Sequence, residues 1–516
     1  MIRRFAPWRW GLAIIGVSLL LRIYKLTDAS IWSDEGFSLE MITYPVDTIW
    51  WLSGQDVHPP LYYLVLKGWV ELMGSHALVW VRGLSVIFGT LNVALGMWLM
   101  LLISTRRAAA IAGLLLALLP MAVRYSQDVR MYSMLGTFLL GATIALVYWV
   151  MHPSSKRYLV VYALLMVASF YTHYFSFFAA CSHWLYLCLI RLPRLGGHRH
   201  IEWSGWWLAN VSVAVLFAPW LPSMFRQLGR FDLNWVLPLS INSVPSAIWR
   251  FLTANDGSTH NIFIFWLLPL VYGGIAISVL LQQDVKYRFN VLIVICGFLT
   301  IIATAVASLI TPVFVDRYLF FSVLMLPLIL ALALEKIRRV VWVAGMVFLV
   351  MVIEAYGLKA IYSQQHTMNN PYRIANNQLA RLMAYFDAAS IDGDVLMVSD
   401  AYIFYAAEYY GSKGRKVVIY TPPTSSGASG RPNGFGFNAP MLMYPDDTYL
   451  DHLDVLESDT HRVWVLQFNE SLRNISLNVP DSWRLIQHEP GGDNVLSLYV
   501  MCSLQATDFY EACDRD

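Results

Sequence analysis

Asp34 and Glu35 stand side by side in IWSDEGFSLE (31–40), just after an apolar run that reads as a membrane span. A carboxylate at a membrane interface can take a proton from a hydroxyl or hold a divalent cation. Other chemistry-bearing residues recur in short clusters. QDVHPPLYY (55–63) holds Asp56, His58 and Tyr62; RYSQDVRMY (124–132) holds Arg124, Asp128, Arg130 and Tyr132. YTHYF (171–175) holds His173, VDRYLF (315–320) holds Asp316 and Arg317, and the stretch 223–260 adds Arg226, Arg230, Asp232 and Arg250. Arg and His together suit a phosphate oxyanion, which is bound best by charge-assisted hydrogen bonds. No Walker loop and no GxGxxG in a strand-to-helix setting accompanies them, so the phosphate is not expected to come from a nucleotide.

The elements that must position these residues are membrane spans. Of 516 residues, 57% are hydrophobic and only 14% charged, with mean hydropathy +0.52, too apolar for an ordinary soluble chain. The 20 Trp and 28 Tyr suit membrane interfaces, and a net charge of +2 gives no reason to expect nucleic acid as a partner. A span takes about 20 mostly apolar residues. On that basis spans are expected near 10–26, 78–103, 108–123, 133–151, 158–172, 174–190, 205–222, 261–281, 289–311, 318–334 and 339–356, the fifth and sixth being short. The N-terminal run resembles a signal peptide but lacks a convincing cleavage site, so it reads as a retained first span.

Basic residues mark alternate connections: Arg3, Arg4 and Arg9; Arg106 and Arg107; Lys156 and Arg157; Arg191, Arg194 and Arg199; Lys286 and Arg288; Lys336, Arg338 and Arg339. By the positive-inside rule these face the cytoplasm, which places the N-terminus inside and the C-terminal region outside a cell membrane. Each chemistry-bearing cluster then falls on the outer face. Polar residues gathered at a membrane surface are a site hypothesis, with interfacial Tyr and Arg anchoring as the plain alternative. A lipid phosphate is the phosphate available at an outer leaflet without nucleotides. For Arg124 and Asp128, spaced four apart, the plain alternative is a helical ion pair; Ser126 and Arg130 have the same spacing. Arg317 has pairing with Asp316 or a distant acid as its alternative, and His173 has an interfacial hydrogen bond.

From about residue 357 the composition becomes polar. A helix is expected over NNPYRIANNQLARLMAYFDAAS, and buried strands at DVLMVS, KVVIY, RVWVLQF and VLSLYVM. A Pro/Gly/Ser loop, TPPTSSGASGRPNGFGFNAP, separates them and is expected to be mobile unless it touches substrate. The expected organisation is a membrane domain over 1–356, with a first external loop at 27–77, and an extracytoplasmic α/β domain over 357–516. Cys181, Cys188 and Cys296 read as packing residues, whereas Cys502 and Cys513 could pair outside the cell.

At these residues the chain resembles the GT-C superfamily of membrane glycosyltransferases. It looks most like the bacterial branch of family 39, which includes protein O-mannosyltransferases and the aminoarabinose transferase of lipid A. The matching features are Asp34–Glu35, HPPLYY, YSQDVRMY and YTHYF, in that order, with eleven spans and an external C-terminal domain. The resemblance implies a polytopic GT-C fold and transfer of a sugar from a polyprenyl-phosphate-sugar to a glycan, lipid or protein acceptor, with inversion at the anomeric carbon. It implies that Asp34 takes the acceptor proton and that Glu35 orients it, although an acid in the first turn of a helix has a structural reading too. It points to His58, Arg130, Tyr132, Arg317, His173 and Tyr62 as residues for the donor phosphate and sugar, with Tyr132 beside the sugar or lipid head and His173 a candidate ligand or base. A divalent metal is an open question, with Asp34 and His58 as its candidate ligands. Lipid A transferases carry an acid–base pair directly before the two prolines, whereas this chain has Val57 and His58. A flippase for lipid-linked sugars, or a polymerase or ligase with a diphosphate-linked donor, would show similar external clusters. A transporter, however, calls for midplane sites and broken helices, and here the spans read as nearly uninterrupted.

Overall fold

The computed structural model describes residues 9–192, 201–230, 236–283, 286–366, 378–411, 415–424, 426–457, 462–468, 480 and 482–501. Arg3, Arg4, Arg194, Arg199, Asp232, the start of the helix expected at 369–377, Cys502 and Cys513 lie outside the described residues. The chain folds as two units: Met1–Leu26 with His58–Pro371, and Thr27–Val57 with Tyr372–Asp516. The segment bearing Asp34 and Glu35 therefore folds with the C-terminal region.

In the first unit each expected span coincides with helix. The helices are Arg9–Ile23, Leu78–Ile103, Arg106–Leu118 with Pro120–Ser126, Tyr132–Met151, Arg157–Phe170, Ser176–Ile190, Trp203–Phe217, Ile262–Leu280, Phe289–Ala307, Phe320–Glu335 and Val340–Tyr362. Among the described residues seven helices are long and apolar enough to cross a membrane, or eight if the bent pair is one span. Arg157–Phe170 and Ser176–Ile190 are apolar but shorter, at 14 and 15 residues. Such a helix rises about 22 Å, less than the roughly 30 Å hydrocarbon core. The chain is a multi-pass membrane protein.

One span is not continuous. Arg106–Leu118 and Pro120–Ser126 meet at 58°. Pro120 has no N–H to donate to the Leu116 carbonyl, and it forces Leu119 out of the helical region, to φ −53 and ψ 113. A break at membrane depth needs replacement donors. The fully buried Arg22 of the first helix supplies them: its guanidinium donates to the carbonyls of Leu116 (3.4 Å) and Ala117 (3.1 Å) and to Ser126 Oγ (3.1 Å). Gly89 permits this close packing, since a Cβ there would lie 1.9 Å from Ser126 Oγ.

The second unit is built on a six-stranded sheet in the order β3-β2-β1-β4-β6-β5. The strands are β1 (Val395–Val398), β2 (Lys416–Tyr420), β3 (Tyr449–Leu450), β4 (Arg462–Phe468), β5 (Trp483–Gly491) and β6 (Asn494–Met501). β1 pairs in parallel with β2 and β4, and β2 with β3; β6 runs antiparallel to β4 and β5. The four expected strands are β1, β2, β4 and β6. Their unbroken apolar runs fit strands covered on both faces. The helix Leu379–Ala389 forms the described part of the expected helix. The helix Ala401–Tyr410 follows β1, with Asp400 as its N-cap accepting from the Tyr402 N–H (2.7 Å).

The helix Ser33–Met41 lies against Ala401–Tyr410 within this unit. Gly36 makes the approach possible: a Cβ there would come within 2.9 Å of the Ala406 amide nitrogen. Phe37 stacks on Phe437 at 5.5 Å and meets the edge of Tyr405 at 5.9 Å. The described part of the Pro/Gly/Ser loop is tied down. Arg431 pairs with Asp451 (2.8 Å) and Asp446 (3.1 Å), Gly436 N–H donates to the Gln55 carbonyl (2.8 Å), and Tyr405 Oη donates to the Phe437 carbonyl (2.8 Å).

Candidate active site

The candidate residues of the first unit come from four segments. His58 precedes Pro59 and Pro60, which lead into the helix Leu61–Met73. The Leu61 N–H donates to the Tyr171 carbonyl (3.0 Å), which ties this segment to the YTHYF connection. His173 sits in that connection, its ring 5.6 Å from His58, 6.2 Å from Tyr132 and 5.0 Å from Tyr318 between centroids. Tyr132 opens the helix Tyr132–Met151 and meets Tyr125 at 4.9 Å; Tyr125 in turn meets Phe320 at 5.9 Å. His58, Arg130, Tyr132 and His173 are all buried, and so is Tyr62, which packs edge-on against Tyr63 (5.9 Å).

Electrostatics join the same groups. Burial holds His173 well below the usual histidine range, and the nearby positive charges of His58, Arg130 and Arg317 lower it further. Its Nδ1 accepts from the Phe175 N–H (3.1 Å), which places the proton of the neutral ring on Nε2. His173 is therefore a hydrogen-bond donor at neutral pH rather than a base acting through Nδ1. Such a collection of cations in a water-poor setting favours an anion.

Geometry bears on several of the plain alternatives. Arg124 Nη1 does stand 3.8 Å from Asp128 Oδ2, the ion pair that the spacing suggests. The helix ends at Ser126, so the four-residue spacing does not run on to Arg130; Ser126 Oγ instead accepts from Arg22 and donates to the Ala122 carbonyl (2.5 Å). Asp316 pairs with Arg250 (2.7 Å), while the Arg317 guanidinium lies over the Tyr318 ring at 5.6 Å. Tyr125 and Tyr318, not singled out in the sequence, line the cluster from inside two of the quoted motifs. Their placement beside Arg124 and Arg317 was the available signal.

Asp34 and Glu35 belong to the second unit, in the first turn of Ser33–Met41, where the helix dipole favours acids. Glu35 is fully buried, whereas Asp34 is half-buried. Among the described residues no group of three or more His, Cys, Asp or Glu is gathered in a way that could hold a metal ion.

No family model matches the chain. No curated protein sequence matches it. Solved structures do. ArnT from Cupriavidus metallidurans in the apo state superposes with a TM-score of 0.62 at 13% identity, over 95% of this chain and 97% of that one. The same protein bound to undecaprenyl phosphate gives 0.58 at 14% identity, over 95% and 98%. The archaeal oligosaccharyltransferase AglB from Archaeoglobus fulgidus, in complex with an inhibitory peptide and a dolichol-phosphate, gives 0.51 at 12% identity, over 90% and 70%. The likeness is one of fold: this chain has the GT-C fold of membrane glycosyltransferases, with a sheet-containing C-terminal region.

Proposed function

We propose that the chain is an inverting glycosyltransferase that moves a sugar from a polyprenyl-phosphate-sugar to a hydroxyl of an envelope glycan, lipid or protein on the outer face of the cell membrane. The observation that carries this reading is the meeting of buried His58, Arg130 and His173 with half-buried Arg317 in one aromatic, cationic cluster of the membrane unit. The polyprenyl phosphates bound by the structural neighbours give the anion its chemical class.

The acceptor oxygen attacks C1 of the sugar as the bond from C1 to the phosphate oxygen breaks. Negative charge develops on the departing lipid phosphate, and fixed cations lower the barrier by meeting it in a dehydrated setting. Arg130 and Arg317 supply that charge, with His58 beside them. His173 donates from Nε2, and Tyr132 and Tyr62 offer ring faces to the sugar or lipid head. Asp34 takes the acceptor proton, and its partial exposure suits a group that must reach substrate. Glu35, fully enclosed, suits a positioning role.

The test is purified protein in detergent, with a radiolabelled polyprenyl-phosphate-sugar and envelope extract as acceptor. Labelled product formed without a second compartment supports the reading. Vectorial movement of the donor in vesicles with no transfer would establish the flippase instead, and transfer only from a diphosphate donor would establish a polymerase or ligase.

A further inference from the structure

The second unit contains a cavity of about 330 Å³ at the carboxyl ends of β1 and β2, lined by none of the residues given a role above. In sheets with parallel strands, ligands characteristically bind outside the carboxyl ends of the strands. The volume lies at the small end for ligand cavities, which run from about 300 to 1,000 Å³. Tyr402, Tyr420 and Phe437 form its aromatic walls, and Asp400, Thr421 and Asn438 its polar ones.

Three features define what it would hold. Among the described residues no Lys, Arg or His lines it, so phosphate and carboxylate ligands have no counter-charge from them. Asn438 Oδ1 is buried and has no hydrogen-bond partner among the described residues. A buried polar atom of that kind carries a cost that a ligand donor would remove. Finally, Tyr402, which is 40% exposed, and Phe437, against which it packs at 4.9 Å, line the cavity beside these polar groups. Aromatic faces next to amide, hydroxyl and carboxylate acceptors match a ring that is apolar on its C–H faces and rich in hydroxyl donors at its rim.

We infer that this cavity is a binding site for a neutral sugar ring, and that it holds a saccharide unit of the acceptor. The second half rests on the glycosyl-transfer reading; the first does not. The wall is also linked to the helix that bears Asp34. Phe437 stacks on Phe37, three residues beyond Asp34, and the adjacent Gly436 N–H is bonded to the Gln55 carbonyl. An occupant that orders Phe437 thus also orders the helix Ser33–Met41. Asp400 already accepts from the Tyr402 N–H, and Thr421 Oγ1 donates to Asp451 Oδ1 (2.9 Å), so the polar rim is held in place before a ligand arrives.

The experiment uses full-length protein in nanodiscs and saturation-transfer difference NMR with the methyl α- and β-pyranosides of glucose, galactose, mannose and arabinose. At least one should give a saturable signal. Tyr402→Ala and Asn438→Leu should each weaken it roughly ten-fold, the effect of losing one stacking face or one hydrogen-bond acceptor. Tyr402 is 40% exposed, so its replacement tests binding with little risk to folding. Absence of signal from every glycoside, equal affinity in wild type and both variants, or tighter binding of a hexose 6-phosphate than of the neutral sugar would each overturn the site. If glycosides bind as expected while wild-type protein forms no labelled product from the polyprenyl-phosphate-sugar, the sugar site stands and the transfer reading falls.

Discussion

The imidazole of His173 lies 5.6 Å from that of His58, centroid to centroid, inside a cluster that also feels Arg130 and Arg317. Burial and three positive neighbours keep His173 neutral in the fold, whereas in the unfolded chain it titrates near 6.5. As pH falls below about 6.5 the unfolded chain therefore binds more protons, and stability drops. The contribution is fully present above that pH and is lost as pH descends toward the folded value. His173→Asn keeps an acceptor for the Phe175 N–H and removes the titration. Its melting temperature should fall less between pH 7.5 and 5 than that of wild type. Parallel slopes would mean that His173 is not held neutral.

Arg130 is assigned to the donor phosphate. Losing one charge-assisted contact costs about 1.5–3 kcal/mol, roughly ten- to a hundredfold in affinity. Arg130→Ala should weaken polyprenyl-phosphate binding by that much, and Arg130→Lys by less, because an ammonium keeps the charge but loses the fork. Titration of both variants and of His58→Ala, read by donor fluorescence quenching, tests the assignment. Unchanged affinity in all three would return these residues to the role of interfacial anchors.

Asp34→Asn keeps shape and removes the base. Turnover should fall roughly 10²–10⁴-fold while donor affinity stays near wild type. Near-normal turnover would pass the role to another acid, with Asp56 and Asp128 as the next candidates.

The sequence was most readable where a single physical demand set the residue pattern. Spans such as Leu78–Ile103 need length and apolarity, and strands such as β1 need an unbroken buried run; both are visible locally. β5 was missed because only one face of an edge strand needs to be apolar, and WRLIQHEPG mixes charge with a proline. The helix Ala401–Tyr410, with its aromatic run AYIFYAAEYY, carries little periodic signal. The break at Pro120 was hidden because a proline after a leucine run does not reveal which distant donor answers the freed carbonyls. Asp34, Arg130 and His173 are proposed as site residues from residue type and local context. Arg22, which braces the break at Pro120, and Phe437, which stacks on Phe37 of the helix bearing Asp34, act across 94 and 400 positions of sequence, which only the fold brings together.

Arg22 tests the account of that break. Arg22→Met retains much of the side-chain volume but leaves the Leu116 and Ala117 carbonyls without their guanidinium donor. Each orphaned group costs about 1–3 kcal/mol. The melting temperature in detergent should drop by several degrees, with donor affinity retained in the folded fraction. Replacement at no cost to stability would show that the helix break is satisfied in another way.

The sidedness of the chain rests on basic residues at alternate connections and can be tested with single cysteines in a Cys-free background. Ser154 is exposed in the turn before Lys156 and Arg157, a connection expected to face the cytoplasm. Ser429 is exposed in the loop of the second unit, which is expected outside. In intact cells an impermeant maleimide should label Ser429→Cys and spare Ser154→Cys, and permeabilisation should make both reactive. The converse pattern would put the second unit, with Asp34, on the cytoplasmic side. There nucleotide sugars become available as donors, and the case for a lipid-linked sugar would lose its main premise.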